Sequence, residues 1–291
     1  METLAQIRRK LEGAEDLKSV VRTMKAMAAS NIGQYEQAGR ALSDYYRTVA
    51  LGIVAYFHER IEQRKVKESK HQITCAIVFG SDQGLVGQFN NTLTDFVKVT
   101  LNKLEGEKII WAIGDRIKTV LLDRGFTLRN LFHVPNSVDG ITPLVSQILL
   151  KSEESIQINE VDHIYIFHNQ PNISGIGYTP VKQKLLPLDE DWKLNLSELE
   201  WPTKIPPQVA GGEKATLLAL IHEFLFVSLY RASAESLASE NASRLLAMQR
   251  AEKNIEELLE SLYRNYHSIR QTMIDDELFD VISGFEALKK K

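Results

Sequence analysis

The sequence predicts an α/β protein in which a long antiparallel two-helix coiled coil, formed by the N- and C-terminal helices, joins a small Rossmann-like α/β head. Three observations carry that prediction. From Leu4 to about His58 there is no proline, and apolar or small residues recur every seven positions at Ile7, Ala14, Val21, Ala28, Tyr35, Leu42, Val49 and Tyr56. Leu17, Met24, Ala38 and Tyr45 are interleaved three positions on, the spacing of a helix that buries one seam. From Glu213 to about Leu288 proline is again absent, and steps of three and four link Ile255, Leu259, Leu262, Tyr266, Ile269 and Met273. Between these two segments short β-rich runs alternate with amphipathic helices, the texture of a parallel sheet.

The elements follow in order. Residues 1–58 form the first coiled-coil helix, roughly 80 Å long at 1.5 Å per residue, too long to wrap inside one core. The charged run 58–72 ends it, with 59–72 as a linker. In the head, assigned to residues 73–207, "ITCAIVF" (73–79) and "KIIWAIG" (108–114) read as strands. "NTLTDFVKVTLNKL" (91–104) and "DRIKTVLLDRG" (115–125) read as helices, the second closed by Gly125. A helix near Pro143–Lys151 follows, and then "DHIYIFHN" and "YTPVKQKLLPL", whose separation by "QPNISGIG" predicts an edge hairpin. The turn-rich stretch 189–213 is the exit loop, and residues 208–291 form the second coiled-coil helix.

Composition narrows the function. An apolar fraction of 44% across 291 residues supports a real core. The net charge of -3 excludes a protein that coats nucleic acid through bulk charge. Cys75, the one cysteine, lies in an apolar strand and reads as a buried, inert thiol. The first residues lack the apolar core of a secretion signal, and no uninterrupted run of 18 apolar residues occurs, so no direct membrane span is expected.

Chemistry-bearing motifs are few. Gly80, Gly84 and Gly87 follow a strand and precede a helix, but their spacing matches neither phosphate-binding fingerprint, no lysine is placed to grip a phosphate, and a tight turn is expected. His163 and His168, five apart on a strand, point to opposite faces and cannot share a metal. Asp275, Asp276 and Glu277 read as a solvated helix end or a contact for a basic partner. No catalytic residue, cofactor-binding residue or metal ligand is assigned. In residues 232–243 eight of twelve positions are Ala or Ser, which lets another backbone or a close-fitting sleeve approach. There Glu240 and Arg244 form an i, i+4 pair, worth a few tenths of a kcal/mol if exposed. These features leave open a passive coiled-coil scaffold and a nucleotide-handling α/β enzyme with helical dimerisation arms, although the acid/base pair and phosphate loop of such an enzyme are not found.

A resemblance favours a different reading. "SLASENASRLLAMQRAEKN" (236–254) resembles the C-terminal signature of the gamma subunits of F-type ATP synthases. "YRNYHSIRQTMIDDELFDVISGFEAL", "VVRTMKAMAAS" and "GSDQGLVGQFNN" are similar to three further motifs of that family, in family order over essentially the whole chain. Val86, Gln88, Asn31 and Asp275 depart from the usual residues, and the opening "METLAQIRRKLEGAEDLKSVVRTMKAMAAS" resembles the alternative, often sodium-linked, prokaryotic branch.

The resemblance implies a central-stalk rotor that couples ion flow through a membrane c ring to ATP synthesis or hydrolysis. It implies alpha, beta and epsilon subunits and the c ring as partners, and a peripheral place on the cytoplasmic face of a prokaryotic membrane. It also implies that the chain is a non-catalytic subunit binding no cofactor, with ATP, ADP and Mg held in partner subunits. By the same resemblance Met24, Lys25, Glu240, Arg244, Gln271 and Glu277 contact the alpha/beta ring. Arg8, Arg9 and Lys10 add a basic end to the shaft.

Overall fold

The chain is described by a computed structural model covering residues 3–58, 73–158, 160–172, 177–187 and 213–289. The expected linker 59–72 and nearly all of the exit loop lie outside the described residues. The helices are α1 (Leu4–Ala41), α2 (Ser43–His58), α3 (Phe89–Leu101), α4 (Asp115–Asp123), α5 (Ile141–Gln157) and α6 (Glu213–Lys289). The strands are β1 (Ile73–Phe79), β2 (Glu107–Ile113), β3 (Leu128–Phe132), β4 (His163–Pro171) and β5 (Tyr178–Leu186). The chain separates into two compact units, Met1–Ala28 with Leu245–Lys291 and Ala29–Arg244.

In the unit Ala29–Arg244 five strands form one sheet in the order β3-β2-β1-β4-β5. β1 pairs in parallel with β2 and β4, and β2 with β3, while β5 runs antiparallel to β4 as the expected edge hairpin. β1 is central and covered on both faces, which is why its sequence is a continuous apolar run rather than an alternating one. Cys75, Ile77 and Phe79 face Ile141, Val145 and Ile148 of α5 together with Leu229, Ala232 and Ala238 of α6. Ala76 and Val78 face Leu93 and Val97 of α3 and Ile117 and Leu121 of α4. β3 was not expected from the sequence. Its "LRNLF" alternates half-buried and exposed positions at the sheet edge, so it carries no apolar run to announce it.

The N-terminal segment differs from the single helix expected. A turn at Leu42 separates α1 from α2, although the Tyr46 N–H still donates to the Leu42 carbonyl at 2.8 Å and the helical path is nearly kept. Val49, Ala50 and Ile53 of α2 pack on Phe224 of α6, and a Cβ on Gly52 would stand 3.0 Å from Leu220, so these two helices approach closely. Among the described residues one helix, α6, is by length and composition apolar enough to cross a membrane, although it holds no uninterrupted run of 18 apolar residues. Its Phe224, Val227 and Leu229 are buried within the chain.

In the unit Met1–Ala28 with Leu245–Lys291, α1 and α6 run antiparallel: Lys18 meets Glu256 at 2.9 Å, and four residues further along α1 Arg22 meets Glu252 at 2.7 Å. Ile7, Leu11, Ala14 and Val21 interdigitate with Met248, Ile255, Leu259 and Leu262. The heptad positions are buried as expected. The interleaved Leu17 is exposed and Leu11 takes its place in the seam, because the second contact row lies four residues after the first rather than three. On the C-terminal side the seam ends at Ile269, and Met273 is exposed.

Candidate functional site

The residues marked for subunit contact fall in both units. In the helical pair Met24 is half-buried beside the seam, and Lys25 is half-buried with its ammonium on Glu252. Arg22 Nε donates to the other Glu252 oxygen at 2.7 Å, so one carboxylate holds two cations. Hydrogen bonds from Lys25 first and Arg22 second pull the Glu252 pKa down to about 2. Arg8, Arg9 and Lys10 are exposed, and Arg8 Nε lies 3.4 Å from Glu12. Gln271 and Glu277 are exposed on α6. Near them along the helix Phe279 and Val281 are also exposed.

Glu240 and Arg244 belong to the other unit, and there the expectation of an exposed pair fails. Their side chains are 7% and 14% exposed, and Arg244 Nη2 donates to Glu240 Oε1 at 2.6 Å. Burial pushes the Glu240 carboxyl above its usual range, a shift that Arg244 opposes. Glu240 Oε2 and Arg244 Nε have no hydrogen-bond partner among the described residues. The run of small residues admits another backbone, the first of the two uses expected of it. Ser236, Ser239 and Ser243 donate their hydroxyls to the carbonyls of Phe79, Asn169 and Val86, at 3.2, 3.0 and 2.6 Å. Ala232, Ala234 and Ala238 fill the core beside them. The backbone that approaches this helix is the chain's own, near the ends of β1 and β4 and in the loop that follows β1.

Sequence reasoning missed one polar cluster in this unit. His168 Nε2 lies 2.9 Å from Glu235, which also accepts from Arg231 Nε at 2.7 Å. Burial alone would raise the Glu235 pKa, but His168 and Arg231 together hold it below the ordinary carboxylate value. The residues are 67 positions apart, so only the pairing of β4 with α6 brings them together. Cys75 is fully buried, and desolvation drives its thiol pKa up, consistent with an inert thiol.

The glycine loop after β1 is committed internally. Ser81 N–H donates to Asn90 Oδ1 at 3.1 Å, Asn90 Nδ2 donates to Ser81 Oγ at 2.8 Å, and Arg116 N–H donates to the Ser81 carbonyl at 3.0 Å. A Cβ on Gly80 would lie 2.2 Å from Ile117, so this glycine lets α4 pack on the turn. The arrangement builds a tight connection between β1, α3 and α4.

Comparison with known proteins decides the family. A family model described as ATP synthase matches residues 3–288. The chain belongs to the ATP synthase family. It is 28% identical to the ATP synthase gamma chain of Glaesserella parasuis over 97% of this chain and 98% of that protein. It is 24% identical to the gamma chain of Brevibacillus brevis, with 98% of each covered. Among solved structures it is similar to a chain of the Euglena gracilis mitochondrial ATP synthase rotor, with a TM-score of 0.62 at 17% identity, covering 93% of this chain and 98% of that one. The two chains thus share a fold.

Proposed function

We propose that the chain is the central-stalk rotor subunit of an F-type ATP synthase, coupling ion flow through a membrane c ring to ATP synthesis or hydrolysis in an alpha/beta ring. The observation that carries this reading is the helical pair: an apolar seam clamped by Glu252, Lys25 and Arg22 makes a stiff rod, while Phe279 and Val281 further along α6 are exposed. A rod of this kind transmits torque, and an asymmetric surface turning inside a ring presents a different face to each beta subunit in turn. The free energy of each contact then biases open against closed nucleotide sites, which is differential binding to conformations.

In this role Met24, Lys25, Gln271 and Glu277 meet the alpha/beta ring, and Arg8, Arg9 and Lys10 attract acidic groups there. Arg244 reaches a beta-subunit loop, with the more deeply buried Glu240 fixing its guanidinium. The α/β unit meets the epsilon subunit and the c ring on the cytoplasmic face of the membrane. ATP, ADP and Mg stay in the partner subunits, and this chain contributes no catalytic group and holds no cofactor or metal in that reaction.

Reconstitution tests the proposal. The chain alone is expected to hydrolyse no ATP and to bind it no better than weakly by calorimetry, to support ATP turnover once alpha and beta subunits are added, and to couple it to ion flow once the c ring is present. Micromolar, magnesium-dependent ATP binding by the isolated chain would overturn the proposal in favour of a nucleotide-handling enzyme.

A further inference from the structure

At the carboxyl edge of the sheet three loops bring together side chains that rotor function leaves unused. Asp82 follows β1, Asp115 opens α4 after β2, and His133 follows β3. One ligand atom from each, two carboxylate oxygens and an imidazole nitrogen, lie within 4.8 Å of one another. His133 Nδ1 is already 3.6 Å from Asp115 Oδ2. Asp82 is fixed by two backbone donors, Asp115 N–H on Oδ1 at 2.9 Å and Val134 N–H on Oδ2 at 3.1 Å. Each of its oxygens keeps a second lone pair. Lys118 Nζ pairs loosely with Asp115 Oδ1 at 4.0 Å, a single ammonium beside two carboxylates.

We propose that Asp82, Asp115 and His133 form a binding site for a divalent transition-metal cation such as Zn2+, tying the loops after β1, β2 and β3 together. Zinc at its ordinary bond lengths to nitrogen and oxygen separates tetrahedral ligands by about 3.4 Å. The ligand atoms therefore need to close by about 1.4 Å at most, and the exposed His133 and Asp115 side chains turn freely enough to supply it. One imidazole with two carboxylates suits Zn2+ or Co2+ rather than Mg2+, which prefers an all-oxygen octahedral shell. Water fills the fourth position, and the loops are stapled without any catalytic step.

Calorimetric titration of the full chain with ZnCl2, the electronic absorption of added Co2+ and the melting temperature with and without Zn2+ test the site. The expected result is one saturable Zn2+ per chain, a Co2+ spectrum in which nitrogen is a ligand, and a rise in melting temperature. Both His133→Ala and Asp115→Asn should weaken Zn2+ binding at least about tenfold and abolish the rise, since even outer-shell partners of a metal are worth that much. Both side chains are exposed, so neither change threatens the fold. Absence of saturable binding, or binding retained in full by either variant, overturns the proposal. Equal competition by Mg2+ overturns the nitrogen ligand.

Discussion

Arg244 shows how much turns on burial at a single position. On an exposed helix its pair with Glu240 is worth a few tenths of a kcal/mol and its removal leaves the fold untouched. Enclosed as it is, removal strands a buried carboxylate, and loss of one partner of a buried pair costs about 3–5 kcal/mol. Arg244→Ala is therefore expected to melt at least several degrees below the parent in a thermal scan. Arg244→Met with Glu240→Gln, which leaves no unpaired charge, should recover most of that loss. Gly114 offers a second test. Its φ is 116°, and a Cβ there would lie 2.5 Å from the Ser81 carbonyl oxygen, so Gly114→Ala is expected to cost more than about 2 kcal/mol in denaturant unfolding. The spacing of Glu240 and Arg244 was legible in the sequence. Their burial was not, because it depends on Phe79, Asn169 and Val86 supplying carbonyls to the same helix face from far along the chain.

Among the elements, the paired helices α1 and α6 are held by apolar contacts along the seam and by charge at its edge. Glu252→Lys would set three cations side by side and is expected to loosen the pairing, read as faster amide exchange in residues 18–25. Lys25→Glu in the same chain should restore protection in part. The depressed Glu252 pKa fixes the pH response. The stabilisation from its ionised form is fully present above its unfolded value, near 4.5, and is lost as the pH falls through about 2. Exchange in the same segment should accelerate over that interval, and in Glu252→Gln the acceleration should be reduced. The heptads made this pair readable, since Ile7, Ala14 and Val21 share one face whatever they pack against. β1 was equally plain as an unbroken apolar run. β3 and the turn at Leu42 escaped because a short edge strand needs no apolar run and because no proline marks a break across which the helical bonding nearly continues. The Ala/Ser face of α6 announced a close approach but not its occupant, since small side chains admit any backbone.

At the scale of the whole molecule, the order of the sequence and the order of the contacts disagree. Most of the sheet is assembled from neighbours, β1 with β2 and β4 with β5, whereas Lys25 finds Glu252 across 227 positions. During translation, at about 5–20 residues per second, that partner emerges roughly 10–45 s after Lys25. Throughout that interval Ile7, Leu11, Ala14 and Val21 form an apolar stripe on a helix with nothing to cover it. The nascent chain thus carries an adhesive segment until residues 248–262 are made, and a chaperone or a partner subunit is expected to shield that stripe. Ribosomes stalled before residue 245 should hold chains that crosslink to such a factor through positions 7–21, and ribosomes stalled far enough past residue 262 for both helices to have emerged should not.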